Sequence, residues 1–116
     1  MHYKELTVWQ KSMDVVEEIY RLTKKLPKEE IYGLTNQIRR AAVSIPSNIA
    51  EGNGRAVTGD YVRFLTIARG LNAEVETQLL LCVRLGYLSQ EEIESTLSLS
   101  DEIGRMLNSM VKKLKN

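Results

Sequence analysis

Residues 32–55 read Tyr-Gly-Leu-Thr-Asn-Gln-Ile-Arg-Arg-Ala-Ala-Val-Ser-Ile-Pro-Ser-Asn-Ile-Ala-Glu-Gly-Asn-Gly-Arg, and this stretch decides the fold. At helical spacing Leu34, Ile38, Ala41, Ala42, Ile45 and Ile49 share one face, which predicts an amphipathic helix from Gly33 or Leu34 to Gly52. Gln37, Ser44, Asn48 and Glu51 form a polar stripe along one edge of that face. Val43, Pro46 and Ala50 lie on a different face, small or apolar and poorly suited to water. Two non-polar faces imply two packing partners. One is the chain's own bundle, and Val43, Pro46 and Ala50 are therefore expected at an interface with a second subunit. Pro46 lacks an N–H and crowds the carbonyl four residues back, so a kink is expected there. Gly52-Asn53-Gly54 stops the helix.

Three more segments carry helical periodicity, and almost nothing reads as strand. The first begins after Thr7, which with Gln10 makes a capping-box pattern, and places Trp9, Met13, Val16, Tyr20 and Thr23 on one stripe. Pro27 ends it or opens a turn. The third helix starts with Thr58 as cap and runs to Gly86, burying Tyr61, Phe64, Leu65, Ala68, Leu71, Val75, Leu79, Cys82 and Val83, with Asn72 intruding in the stripe. The fourth opens on a Ser89/Glu92 capping box and continues through Ile93, Leu97, Ile103, Leu107, Met110 or Val111, and Leu114. Connections of a few residues favour antiparallel neighbours, hence an all-α, antiparallel up-down-up-down four-helix bundle occupying residues 1–116 as a single domain.

A chain of 116 residues can bury a core without disulfides or metals. Sixteen basic against fifteen acidic residues leave a net charge of +1, so no global field points to nucleic acid. Locally the charge is uneven: Leu88 to Gly104 carries five acids and no base, Arg105 to Asn116 four bases and no acid. A helix whose charges complement its own dipole explains that pattern. The single Cys82 sits among leucines and valine as a small core residue, which fits a reducing compartment. Met1 to Gln10 has neither an apolar run nor a cleavage site, and no apolar cluster approaches a membrane span. The expected location is the cytoplasm, with no membrane partner.

Chemistry finds few footholds. The only histidine, His2, rules out the Glu-x-x-His pairs of dimetal bundles, and one cysteine with one histidine cannot make a zinc site. Ser44, Ser47 and Cys82 have no histidine partner in the body of the chain. Glu51, Asp60, Glu74 and Glu76 could converge on a metal for phosphodiester cleavage, but at this spacing ion pairs and caps are the commoner outcome. Gly52-Asn53-Gly54-Arg55 lacks the spacing of a phosphate loop and follows a helix C-terminus, which repels anions. No catalytic residue, metal or cofactor is expected.

Two polar groups of residues remain. Gln37, Ser44, Asn48 and Glu51 sit at the edge of a core, where unbonded polar groups each cost about 1–3 kcal/mol. Either they join Asn72 and a tyrosine hydroxyl in an internal network that sets bundle register, or they meet Arg40 or Arg63 of a neighbouring subunit. Arg39, Arg40, Arg55, Arg63 and Arg69 surround the second and third helices and suit bidentate phosphate contacts. Tyr3, Tyr32 and Tyr87 lie near segment ends, where they could stack on bases.

The 32–55 stretch, together with Leu6-Thr7-Val8-Trp9-Gln10 and Leu85-Gly86-Tyr87-Leu88, closely resembles the four helix bundle protein family. Its best-known members are encoded in intervening sequences of bacterial 23S ribosomal RNA genes, and relatives serve as accessory proteins of diversity-generating retroelements. Gln37, Arg39, Arg40, Ser44, Pro46, Asn48, Glu51, Gly52 and Arg55 match the family signature. After Ala68-Arg69-Gly70 the family commonly has Ser-Leu, where this chain has Leu71-Asn72, so any role of that serine does not carry over. The resemblance implies a ring-shaped homopentamer, and a ring repeats each modest basic patch five times, which raises affinity for a phosphate backbone. The resulting expectation is a non-enzymatic oligomeric scaffold that holds structured RNA or an RNA–protein complex, DNA being the other nucleic acid its arginines would suit. The competing expectation is a protein–protein adaptor that docks a partner enzyme such as a reverse transcriptase.

Overall fold

Gly86 adopts φ +80°, the left-handed conformation glycine takes without strain, and there the longest helix stops. The Gly86 N–H donates to the Val83 carbonyl at 3.0 Å, and those of Tyr87 and Leu88 donate to Cys82 at 2.9 and 3.2 Å. The next helix begins at Gln90, four residues after Gly86, with the reciprocal Ser89/Glu92 capping box in place. In this computed structural model, which describes residues 2–116 and leaves Met1 outside, four helices account for most of the chain. They are α1 (Thr7–Thr23), α2 (Leu34–Asn53), α3 (Thr58–Arg84) and α4 (Gln90–Lys115), with 3-10 turns at Tyr3–Glu5 and Lys28–Glu30. Among the described residues there is no strand.

Other helix starts depart from the sequence expectation. Thr7 and Thr58 are first helical residues rather than caps, and Leu6 and Val57 occupy the cap positions with no side-chain bond. Gln10 reaches back to the Lys4 carbonyl at 2.9 Å instead of closing a capping box. At α2 the cap comes from outside the local pattern: Glu30 accepts the Leu34 N–H at 3.0 Å and the Tyr87 hydroxyl at 2.8 Å. A Cβ on Gly33 would stand 2.8 Å from that carboxylate, so glycine is what lets Glu30 in. Helix α2 runs unbroken through Pro46.

Consecutive helices pack on each other and α4 closes on α1, giving the up-down-up-down bundle, 44 × 24 × 20 Å. Twenty-seven residues in α3 span about 40 Å at 1.5 Å per residue, so one helix sets the long dimension. Helices α2 and α3 are in close contact at Gly52, where an added Cβ would lie 2.7 Å from the Phe64 Cβ. Core residues of α2, α3 and α4 follow the expected stripes, Ile38, Ile45 and Ile49 against Leu65, Val75, Leu79, Ile93, Ile103 and Leu107.

Helix α1 is turned relative to the expectation. Its core stripe is Val8, Ser12, Val15, Ile19 and Leu22; of the expected stripe Thr23 is buried, Trp9 and Val16 are half-buried, and Met13 and Tyr20 are exposed. Both stripes are apolar, and the small Ser12 hides its hydroxyl by donating to the Trp9 carbonyl at 2.7 Å. The bulkier stripe therefore faces outward.

Three carboxylates are held below their ordinary value. Glu92 is brought down to about 2 by the Lys25 ammonium and then by the Ser89 N–H. Glu30 is lowered by the Leu34 N–H and the Tyr87 hydroxyl, and Glu18 by Arg21. A depressed folded pKa adds stability that is fully present above the ordinary value of 4.5 and fades as pH falls toward about 2. Melting temperature should thus be flat above about pH 5 and drop through that acid window. Glu92→Gln should lower the plateau and shallow the drop, and thermal melts across pH check both.

Candidate functional site

Helix α2 presents two adjoining surface grooves that share Val43. The first is apolar. Trp9, Met13 and Val16 from the outward stripe of α1 face Val43, Pro46 and Ala50 of α2, with Tyr3 at one end packed edge-on against Trp9 at 5.3 Å. The volume is about 330 Å³, and none of the lining side chains is charged. Val43 is 41% exposed and Met13 42%, whereas Pro46 is already covered by its own chain. This groove is where the second non-polar face of α2 lies. Sequence reasoning placed the α2 half of it and missed the α1 half, because Trp9, Met13 and Val16 had been assigned to the core.

The second groove, about 520 Å³, is lined by Tyr20, Asn36, Arg39, Arg40 and Ser44, with no carboxylate. Arg39 is built in: its Nε donates to Thr23 Oγ1 at 2.8 Å and its guanidinium lies 4.6 Å from the Tyr20 ring centroid. Thr23 can hold that bond because its own hydroxyl donates to the Ile19 carbonyl at 2.6 Å. Ile31 also lines this groove, and the neighbouring Tyr32 is 93% exposed. Arg40 also reaches a narrower groove shared with Gln37, Leu71 and Glu74.

The five arginines do not form one patch on a single subunit. Arg39 and Arg40 sit together on α2. Arg55 and Arg63 bracket Phe64 at the other end of the bundle, 5.0 and 4.6 Å from its centroid, and Arg55 is paired with Glu51 at 2.9 Å. Arg69 lies on the α3/α4 face, donating to Asn108 Oδ1 at 2.8 Å.

The expected polar network is likewise divided. Gln37 and Glu51 are exposed, and half-buried Asn48 donates to the carbonyl of Ser44 on its own helix at 2.8 Å. A stripe at the edge of α2 can satisfy itself locally or with solvent, so it needs no interhelical partner. Asn72 alone enters the core. Its amide donates to the Ser100 carbonyl, and the Ser100 hydroxyl donates to its Oδ1, each at 2.8 Å, with Glu76 Oε1 3.1 Å from the same hydroxyl. Gly104 leaves room for it, a Cβ there lying 3.3 Å from the amide nitrogen. Ser100 and Glu76 had no signal in the local pattern that tied them to Asn72.

Glu51, Asp60, Glu74 and Glu76 do not converge. Among the described residues no group of three or more histidine, cysteine, aspartate or glutamate side chains could hold a metal ion. Burial pushes the Cys82 thiol up to about 11, which keeps it an inert core residue. No helix of the described residues is long and apolar enough to cross a membrane.

The fold is an antiparallel four-helix bundle with grooves on its outer faces. The chain belongs to the 23S rRNA-intervening sequence protein family, whose model matches residues 4–109. It is similar to a crystal structure of a protein of unknown function from the S23 ribosomal protein family of Bacteroides thetaiotaomicron VPI-5482. That match has a TM-score of 0.84 and 32% identity, covering 91% of this chain and 99% of that one. No curated protein matches.

Proposed function

We propose that the protein is a non-enzymatic, cytoplasmic scaffold that assembles through the α1/α2 apolar groove into a homo-oligomer, a pentamer as the family resemblance implies, and associates with structured RNA. The observation that carries this reading is the adjacency on α2 of an uncharged apolar groove and an arginine groove without a carboxylate. The first suits a copy of the same chain, and the second suits phosphate, with Arg39 held ready by Thr23 and Tyr20. Assembly multiplies that groove around a ring, which supplies the affinity a near-neutral monomer lacks.

Fluorescence anisotropy with a labelled RNA at about 50 mM salt tests it, since phosphate contacts are strongest at the low-salt end. Binding should weaken steeply with salt, and Arg39→Ala with Arg40→Ala should reduce it for all sequences alike, because phosphate contacts position without specifying bases. No binding by the intact oligomer at that salt removes the nucleic-acid reading. The adaptor reading then leads. It is favoured by a separate apolar patch, Leu80, Leu81 and Leu85 on the outer side of α3, each more than two-fifths exposed.

A further inference from the structure

The net charge of +1 conceals a segregation that follows from how the helices pair. Two acids in the first half of α4 meet bases from the α1 side: Glu92 pairs with Lys25, just past the end of α1, and Glu102 with Lys11 of α1 at 2.9 Å. Asp101 is held by Arg105 at 3.1 Å. The last turns of α4 have no such counterpart. Two of their three lysines, Lys112 and Lys115, line a groove of about 620 Å³ with Arg69 of α3 and with Asn108, Ser109 and Val111. No carboxylate lines it. Among the described residues none of Arg69, Lys112 and Lys115 is in an ion pair.

The helix dipole accounts for lysines at the end of α4, but not for Arg69, which comes from the middle of α3. Arg69 is positioned there by Asn108, which takes one of its N–H groups at 2.8 Å and leaves the rest of the fork free. A guanidinium already fixed loses less freedom on meeting a ligand. The nearest acid preceding the groove on α4, Glu102, lies six residues before Asn108, about 9 Å along the axis, close to one Debye length at 0.1 M salt. It is also held by Lys11. The positive charge of the groove is therefore not cancelled by its own helix.

We infer that this α3/α4 groove is a binding track for the phosphodiester backbone of a nucleic-acid strand, with Arg69, Lys112 and Lys115 on the phosphates and Asn108 and Ser109 as additional polar contacts. The inference rests on the nucleic-acid reading above and adds a site separate from the α2 grooves. Seven residues from Asn108 to Lys115 span about 10 Å, enough for consecutive phosphates rather than one isolated anion. Three cations on a single strand give a salt slope of about −2 per site, since each neutralised phosphate contributes about −0.7.

Anisotropy of a fluorescein-labelled oligouridylate with the full-length protein, and with its Lys112→Glu/Lys115→Glu variant, tests the site. The variant should bind roughly tenfold or more weakly at about 50 mM salt, with the slope cut to below about −1 per site, while Lys112→Arg/Lys115→Arg retains both. Light scattering on the same samples should give the wild-type mass. Labelled oligothymidylate and polyglutamate serve as comparison probes. Equal binding of oligothymidylate fits a backbone track, whereas polyglutamate binding as tightly as the nucleic acids overturns it in favour of an acidic peptide. Unchanged RNA affinity in the glutamate variant, with the wild type binding, overturns this site and leaves the nucleic-acid reading standing. A change in mass shows that the lysines serve assembly and also overturns it. No binding by wild type removes both.

Discussion

Replacing Ala50 with glutamate should convert the proposed assembly to monomers of unchanged helix content, read by light scattering at micromolar concentration and by circular dichroism. Ala50 is half-buried in the apolar groove, so a carboxylate there stays solvated in the free subunit and costs the fold little. A neighbouring subunit covering the groove would strip its water, and the groove lining offers no cation to pair with it. An unpaired buried charge costs several kcal/mol, and each 1.4 kcal/mol is tenfold in affinity, so the loss at one interface is on the order of a hundredfold or more. An unchanged mass would show that the groove is not the contact. A ring also makes a sharper demand than a two-fold dimer, because its contact joins two different patches. The Leu80, Leu81 and Leu85 patch, exposed on the single chain, supplies that second half if the ring forms and is then closed to an adaptor's partner. In a ring, Leu81→Asp should also give monomers, yet a mixture of the two variants should form one-to-one pairs, since each retains the patch the other has lost. A two-fold contact through the groove alone predicts that Leu81→Asp assembles normally.

Helix α1 shows why the bundle was legible and this surface only half so. Any apolar periodicity near 3.6 announces a helix, and short connections announce antiparallel neighbours, so the architecture follows from pattern alone. Which of two apolar stripes faces in depends on volume at the centre of the bundle. Val8, Ser12, Val15 and Ile19 fit there because they are small or branched, while Met13 and Tyr20 are left outside and Trp9 packs only half-buried at the edge. Reading size as burial chooses the wrong stripe. The same blindness hides Ser100 and Thr96, which are polar in sequence and fully buried in the fold.

Charge follows a similar rule. Local spacing can bring together Arg105 and Asp101, four residues apart on α4, whereas Arg55, past the end of α2, pairs with Glu51 where the sequence expectation was Arg40 or Arg63 of a neighbouring subunit. It says nothing of Lys25 with Glu92, or of Arg69 beside Lys112, because those juxtapositions exist only after α4 has folded back between α1 and α3. Five arginines chosen for their residue type thus scatter over three places, while two lysines dismissed as dipole partners share a groove with one of them.

The buried pair Asn72 and Ser100 carries the largest stability effect of an isosteric change. Asn72 is 2% exposed, and its amide nitrogen donates to the Ser100 carbonyl while its oxygen accepts from the Ser100 hydroxyl. Asn72→Asp keeps the shape and replaces that nitrogen with an oxygen. Two acceptors then face each other at 2.8 Å, and a second carboxylate, Glu76, lies beside the same hydroxyl. Ionised, the new group is a buried charge without a cation, which should cost about 3–5 kcal/mol and roughly 10–20 °C in melting temperature at neutral pH. Protonated, it regains a donor for the Ser100 carbonyl, so the fold raises its pKa above the unfolded value of about 3.9. A raised folded pKa adds stability that is present below the unfolded value and lost as pH rises through the folded one. The gap between wild type and variant should therefore shrink as pH is lowered from about 8 to 4. The acid loss caused by Glu92 and Glu30 is common to both proteins and cancels in that difference. Asn72→Ala, which introduces no charge, should show a smaller gap that does not change with pH. A gap for Asn72→Asp that stays constant over the same range would mean that water reaches the site and that Asn72 does not lock α3 to α4.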